Sequence, residues 1–231
     1  MKNAYLITLT VLFSNLLCAQ EYLTSDTSCI SHYTALSNEA FNRGDEAYLA
    51  YMYDSVKVCL VGRTIQNTIL KTVNENLLHT DSIRENILLI FSASWCAPCI
   101  ANIPAINRLA GDQHHNLKIV VIYWDTYEKV KEISAEYAAG VVLVPSIEAN
   151  GAETSITYGN ISHQLGYPTS YVIDTKKEII DLVLGGTVSG DLGNGITITE
   201  EEATQKNYAH LLLLLSLLVK VDRYLPVSLI R

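Results

Sequence analysis

Charge is scarce in this sequence. Only 17% of its 231 residues are Asp, Glu, Lys or Arg, against about 25% in an average globular chain, while 49% are hydrophobic. A disordered or solvating segment needs the opposite balance, so this chain has the means to bury a core. Cationic clusters are missing too. The net charge is −8, and without a concentrated positive field nucleic acid is not among the expected partners. Twelve glycines and five prolines are too few for a collagenous or repetitive chain. Five cysteines are too few for a disulfide scaffold. At roughly 100–200 residues per domain, the length suits one domain with an appendage.

Met1-Lys2 is a short positive start, Ala4 to Leu17 carries no charge, and Cys18-Ala19-Gln20 closes the stretch. That order describes a secretory signal peptide. At about 14 residues the apolar part is shorter than the roughly 20 of a membrane-spanning helix. Residues 1–19 are therefore read as the signal and Gln20 as the first mature residue, of a protein that works in the periplasm or outside the cell, where disulfides persist. A second reading makes Cys18 the lipid-bearing cysteine of a bacterial lipoprotein. Against it, Leu17 stands where such sites place a small residue.

Residues 20–57 read as a helical extension, with apolar residues three and four apart on both sides of a break at Arg43-Gly44-Asp45. Its tyrosines, Tyr48, Tyr51 and Tyr53, are expected to pack on the rest of the chain; a partner-docking face is the other reading. From Val58 to about Thr80, short β-rich pieces suggest a hairpin. Ile87 to Phe91 is a continuous apolar run, as in a strand buried on both faces. A helix over Cys96–Ala110, a strand over Ile119–Tyr123, a helix over Tyr127–Tyr137 and a strand over Val141–Val144 follow. Residues 145–164 give no clear signal. Tyr171–Ile173 and Glu178–Leu184 read as a hairpin. Thr199 with Glu202 is a capping-box pattern that opens a last helix running toward Lys220, and Leu211–Val219 is expected to lie buried. The alternation implies an α/β fold, a mixed central sheet flanked by helices.

Trp95-Cys96-Ala97-Pro98-Cys99 falls between an apolar strand and a helix start. Disulfide exchange needs a thiolate, and the free N–H groups of a helix N-terminus stabilise one, lowering the Cys96 pKa below the usual ~8.5. Cys96 is expected to be the exposed attacking thiol. Cys99, one turn later, is placed to resolve the mixed disulfide. Pro98 sits in the first turn, where its missing N–H costs nothing, and Pro104 is expected to kink the helix.

Ser92 to Cys99 with Pro104 beyond resembles the active site of the thioredoxin superfamily. Gly166-Tyr167-Pro168-Thr169-Ser170-Tyr171-Val172-Ile173-Asp174 is similar to that family's cis-proline segment. Leu60-Val61-Gly62-Arg63 through Asn86-Ile87 looks like the lead-in of its secreted TlpA-like/ResA-like branch. The resemblance implies a thioredoxin fold over 58–231 preceded by the extension. It implies thiol–disulfide exchange on protein cysteines, more as reductant than as oxidase or isomerase. It implies a cis Tyr167–Pro168 bond beside the cysteines, a substrate backbone received at Tyr167–Pro168 as an added strand, and a thiol shielded by Trp95. No dissociable cofactor is expected beyond the redox-active Cys96–Cys99 pair; a membrane-bound dithiol protein is the expected electron donor. Two carboxylates common in relatives are replaced, by Ile90 six residues before Cys96 and by Asn102 three after Cys99. Slower resolution of mixed disulfides is therefore expected.

Rival chemistries fit the motif less well. A zinc site needs two more ligands, and there is no second C-x₂-C; His114-His115 reads as solvated surface, so no metal is expected. Covalent haem needs a His where Ile100 stands. Copper-delivery relatives place three residues between the cysteines, and peroxiredoxins place a Thr where Ala93 stands. A binding module that keeps the fold but not the chemistry is the alternative from another class. Cys29 and Cys59 are a candidate structural disulfide between extension and domain, worth about 3–4 kcal/mol in the chain-entropy model; two buried free thiols are the other reading.

Overall fold

Ile87, Leu89 and Phe91 point to one side of the central sheet and Leu88 and Ile90 to the other, and all are essentially solvent-free. This alternation along one strand is why an unbroken apolar run is needed there: both faces are covered. The computed structural model describes residues 27–112, 116–147, 156–159, 161–163, 165–191, 193 and 195–223. The signal segment with Cys18, the start of the extension, His114-His115 and the side chain of Lys220 lie outside them.

In chain order the elements are α1 (Thr27–Arg43), α2 (Glu46–Val58), β1 (Ile69–Lys71), β2 (Leu77–His79), β3 (Asn86–Ser92), α3 (Ala97–Gly111), β4 (Leu117–Thr126) and α4 (Tyr127–Ile133). They continue with β5 (Val142–Ile147), β6 (Ile156–Tyr158), β7 (Ile161–His163), β8 (Thr169–Ile173), β9 (Ile179–Leu184), β10 (Gly190–Asp191), β11 (Thr197–Ile198) and α5 (Glu200–Arg223). The central sheet has the order β5-β4-β3-β8-β9, parallel from β5 to β3 and antiparallel from β3 to β9. This is a thioredoxin-like α/β fold. Pro145 is tolerated in β5 because that strand is an edge.

One face of the sheet packs on α3, α4 and α5 through Ile103, Ile106, Val130, Ile133, Leu211 and Leu214. The other receives Ile30 of α1, Val56 of α2, and Leu60 and Ile65 from the chain that follows. Residues 62–65 then run along β9, with Gly62 N–H donating to Ile179 O and Ile65 N–H to Lys177 O, both at 2.8 Å. Lys57 of α2 forms a 3.1 Å ion pair with Asp181 of β9.

Several expectations are corrected. In α2 the packing residues are Met52 and Val56, four apart, whereas Tyr51 is 63% and Tyr53 41% exposed; the i,i+4 face took the core and left these tyrosines outside. Helix α4 ends at Ile133 and gives way to a 3₁₀ turn over Ser134–Glu136, which brings the Tyr137 hydroxyl to 2.6 Å from that of Tyr123. In α5, Leu211 and Leu214 are buried but Leu213 is 69% exposed, because an apolar stretch longer than one face must turn part of itself outward. Within the unclear stretch after Val144, β5 runs on to Ile147, and β6 and β7 form an antiparallel pair. The capping box is formed: Thr199 Oγ1 accepts from Glu202 N–H at 3.2 Å, and Glu202 accepts from Thr199 N–H at 2.8 Å.

Cys29 and Cys59 are joined in a disulfide, with Cα atoms 5.9 Å apart. Cys59 is the C-cap of α2, so the bridge closes the α1–α2 hairpin on itself. The link from extension to domain is made by Lys57 and by the core contacts of Ile30 and Val56.

Candidate active site

Sheet topology brings the distant segments together. Strand β3 ends at Ser92, and the next four residues lead into α3. Because β8 runs antiparallel to β3 with Thr169 opposite Phe91, the residues just before Thr169 arrive where β3 ends. Because β4 is parallel with Tyr123 opposite Ser92, Trp124 and Asp125 arrive at the same end. Carboxyl ends of parallel strands are where α/β sheets place their ligand sites.

Cys96 is the N-cap of α3. Its Sγ accepts the Cys99 N–H at 3.2 Å, and its carbonyl accepts from Cys99 N–H at 3.0 Å and Ile100 N–H at 3.1 Å. The sulfur thus occupies the position of a capping oxygen, at the positive end of the helix. Pro98 lies in the first turn, and α3 continues through Pro104. Cys96 and Cys99 form a disulfide with Cα atoms 5.2 Å apart. Residue Cys96 is only 6% exposed and Cys99 2%. The expectation of an exposed Cys96 is corrected, and the cover comes from elsewhere in the chain.

That cover is Trp124 and Tyr167, which pack against Ala93, Cys96 and Cys99. Their rings stack at 5.9 Å between centroids and 25° between planes. Trp95, expected to shield the thiol, is 64% exposed and stands edge-on to both rings. The Tyr167–Pro168 bond is cis. Tyr167 O lies 3.4 Å from Cys96 Sγ, so this backbone borders the sulfur. Burial, reinforced by the charge of Asp125, pushes the Tyr167 phenol up to about 12 and keeps it neutral at physiological pH.

Sequence reasoning missed four residues here. Trp124 is one. Asp125 is the second: its carboxylate accepts Ser94 N–H and Ser94 O–H, both at 2.7 Å, anchoring the loop two residues before Cys96. Gly186 is the third. A Cβ there would lie 3.2 Å from Pro98 O and 3.6 Å from Pro168 Cγ, so the backbone packs closely under the site. Asn207 of α5, 2% exposed, is the fourth. Its Nδ2 donates to Ala101 O at 3.2 Å and Thr187 O at 2.9 Å, and its Oδ1 accepts Thr187 N–H at 2.7 Å. The available signal was the Trp-Asp pair at the carboxyl end of an apolar strand. Gly186 and Asn207 carry none without the fold.

The chain is similar to several known proteins. The chain is 28% identical over 138 residues to the thioredoxin-like protein YneN of Bacillus subtilis, covering 59% of this chain and 72% of that one. Among solved structures, a putative protein disulfide isomerase from Bacteroides thetaiotaomicron has a TM-score of 0.48 at 17% identity, covering 69% of this chain and 90% of that one. A putative thiol:disulfide interchange protein DsbE from Chlorobium tepidum has a TM-score of 0.43 at 19% identity, covering 54% and 85%. The AhpC/TSA family model matches residues 61–182, just over half of the chain and from β1 to most of β9. On that match, the chain belongs to the AhpC/TSA family, with a thioredoxin-like fold.

Proposed function

We propose that this protein is an extracytoplasmic thiol–disulfide oxidoreductase of the TlpA-like/ResA-like kind, acting on protein cysteines as a reductant through Cys96 and Cys99. The observation that carries the reading is the Cys96 Sγ at the N-cap of α3, with the Cys99 N–H at 3.2 Å and the Tyr167 carbonyl at 3.4 Å.

In the reduced protein, the Cys96 thiolate attacks one sulfur of a client disulfide. The client S–S bond breaks, a mixed disulfide forms, and the first client thiolate leaves and takes a proton. Cys99 then loses its proton and attacks Cys96 Sγ. The second client thiol is released, and the Cys96–Cys99 disulfide closes. Two electrons have passed to the client; a membrane-bound dithiol protein returns them by the same exchange. The client backbone is held at Tyr167–Pro168 as an added strand. Neither carboxylate nor imidazole is assigned to the Cys99 proton, which goes to water. Ala93, where a peroxidatic site needs a hydroxyl, favours disulfide over peroxide as the substrate. The reductant direction rests on the resemblance of the lead-in segment, and the extracytoplasmic setting on the Met1–Gln20 pattern.

The test is turnover of a protein disulfide by Cys96→Ser and Cys99→Ser variants. Cys96→Ser should abolish exchange, and Cys99→Ser should accumulate the mixed disulfide with the client, seen by mass spectrometry. A wild-type chain that turns over no disulfide but binds the client as well as Cys96→Ser does would leave a binding module instead.

A further inference from the structure

The α1–α2 hairpin lies before the family match, yet it reaches the cis-proline segment. Thr34 and Phe41 of α1 and Tyr53 of α2 line one wall of a cleft of about 230 Å³, and Leu165 and Gly166 line the other. Gly166 directly precedes Tyr167. We infer that this cleft is a client subsite, taking an apolar side chain of the client polypeptide two or three residues from the cysteine that engages Cys96. This inference rests on the thiol–disulfide reading above.

Two observations carry it. First, reach: a client cysteine bonded to Cys96 Sγ sits beside Tyr167 O, 3.4 Å away. An extended client advances about 3.3 Å per residue, so two or three residues bring it over Gly166 and Leu165, at the mouth of the cleft. Second, lining: Phe41 is 72% and Tyr53 41% exposed at the lip, large apolar surface that the fold leaves uncovered beside the site. The hairpin thereby acquires a task, reading the client's sequence next to its disulfide.

The experiment measures reduction of two substrates by the full chain. One is glutathione disulfide, too short to reach the cleft. The other is a peptide disulfide with Leu three residues from cysteine on either side. Phe41→Ala and Tyr53→Ala are the variants; Phe41 is 72% and Tyr53 41% exposed, so neither side chain carries the core. Each should raise KM for the peptide, by about tenfold for Phe41→Ala, as for a lost apolar contact in a pocket. Neither should change kcat for the peptide or the rate with glutathione disulfide. An unchanged peptide KM, or equal losses with both substrates, overturns the subsite. A wild-type chain that reduces neither substrate overturns the reading it rests on, and the subsite with it.

Discussion

Asp125 accepts both the backbone N–H and the hydroxyl of Ser94, each at 2.7 Å, and so ties the end of β4 to the loop that carries Cys96. Parallel pairing of β3 with β4 delivers the carboxylate to that place. The anchor explains how a loop with no regular structure of its own holds Cys96 at the N-cap.

Asp125→Asn should loosen this loop without unfolding the domain. An amide can accept only one of the two bonds well, and hydrogen bonds to a charged group contribute about 1.5–3 kcal/mol each. Disulfide exchange should slow about tenfold, since small misplacements of reacting groups cost that much or more. Urea titration and single-turnover kinetics on the same sample separate stability loss from rate loss.

Opening the Cys29–Cys59 bridge should weaken the fold but not the chemistry. The bridge spans 30 residues, for which chain entropy gives about 3–4 kcal/mol. The double Cys29→Ser, Cys59→Ser variant should unfold at lower urea and lose protease resistance first in α1. Its exchange rate with glutathione disulfide should match the parent's.

Asn102 is 4% exposed on α3, one turn beyond Cys99. Asn102→Glu places a carboxylate at that position. Burial should raise its pKa toward neutrality and make it an effective proton acceptor. Stopped-flow measurement of mixed-disulfide resolution should show a faster step, rising with pH as that carboxylate ionises. An unchanged rate removes proton transfer from Cys99 as the slow step.

At the start of α5, hydrogen bonds from the Thr199 backbone and hydroxyl hold the Glu202 carboxyl below its usual range. The folded-state pKa is depressed, so its contribution is present above the unfolded value and lost as pH falls through the lower, folded value. Glu202→Gln should therefore be less stable than the parent at neutral pH and equal to it in acid. Thr199→Ala, which removes the hydroxyl cap, should cost about 1 kcal/mol in urea titrations at neutral pH.

Much of the fold was legible because its signals are local. Ile87–Phe91 announces β3 since a doubly covered strand needs five apolar residues in a row. Thr199 and Glu202 announce α5 since a capping box is a matter of spacing. The motif Trp95–Cys99 and the segment at Tyr167–Pro168 are short and contiguous. What escaped depends on juxtaposition. Trp124 and Asp125 matter only because β3 and β4 pair in one register, and the burial of Cys96 follows from rings supplied by β4 and by the residue before Pro168. The outward tyrosines of α2 were misread because both helix faces carry apolar residues, and only packing chooses between them.

The most direct measurement is the redox equilibrium of the full chain in glutathione buffers, with each cysteine pair followed separately by alkylation and mass spectrometry. Cys96–Cys99 should open and close as one two-electron couple near the roughly −270 mV of thioredoxin, while Cys29–Cys59 stays closed. A value near about −120 mV would make the protein an oxidant. A Cys96–Cys99 pair that does not respond to the buffer at all would contradict the thiol–disulfide reading.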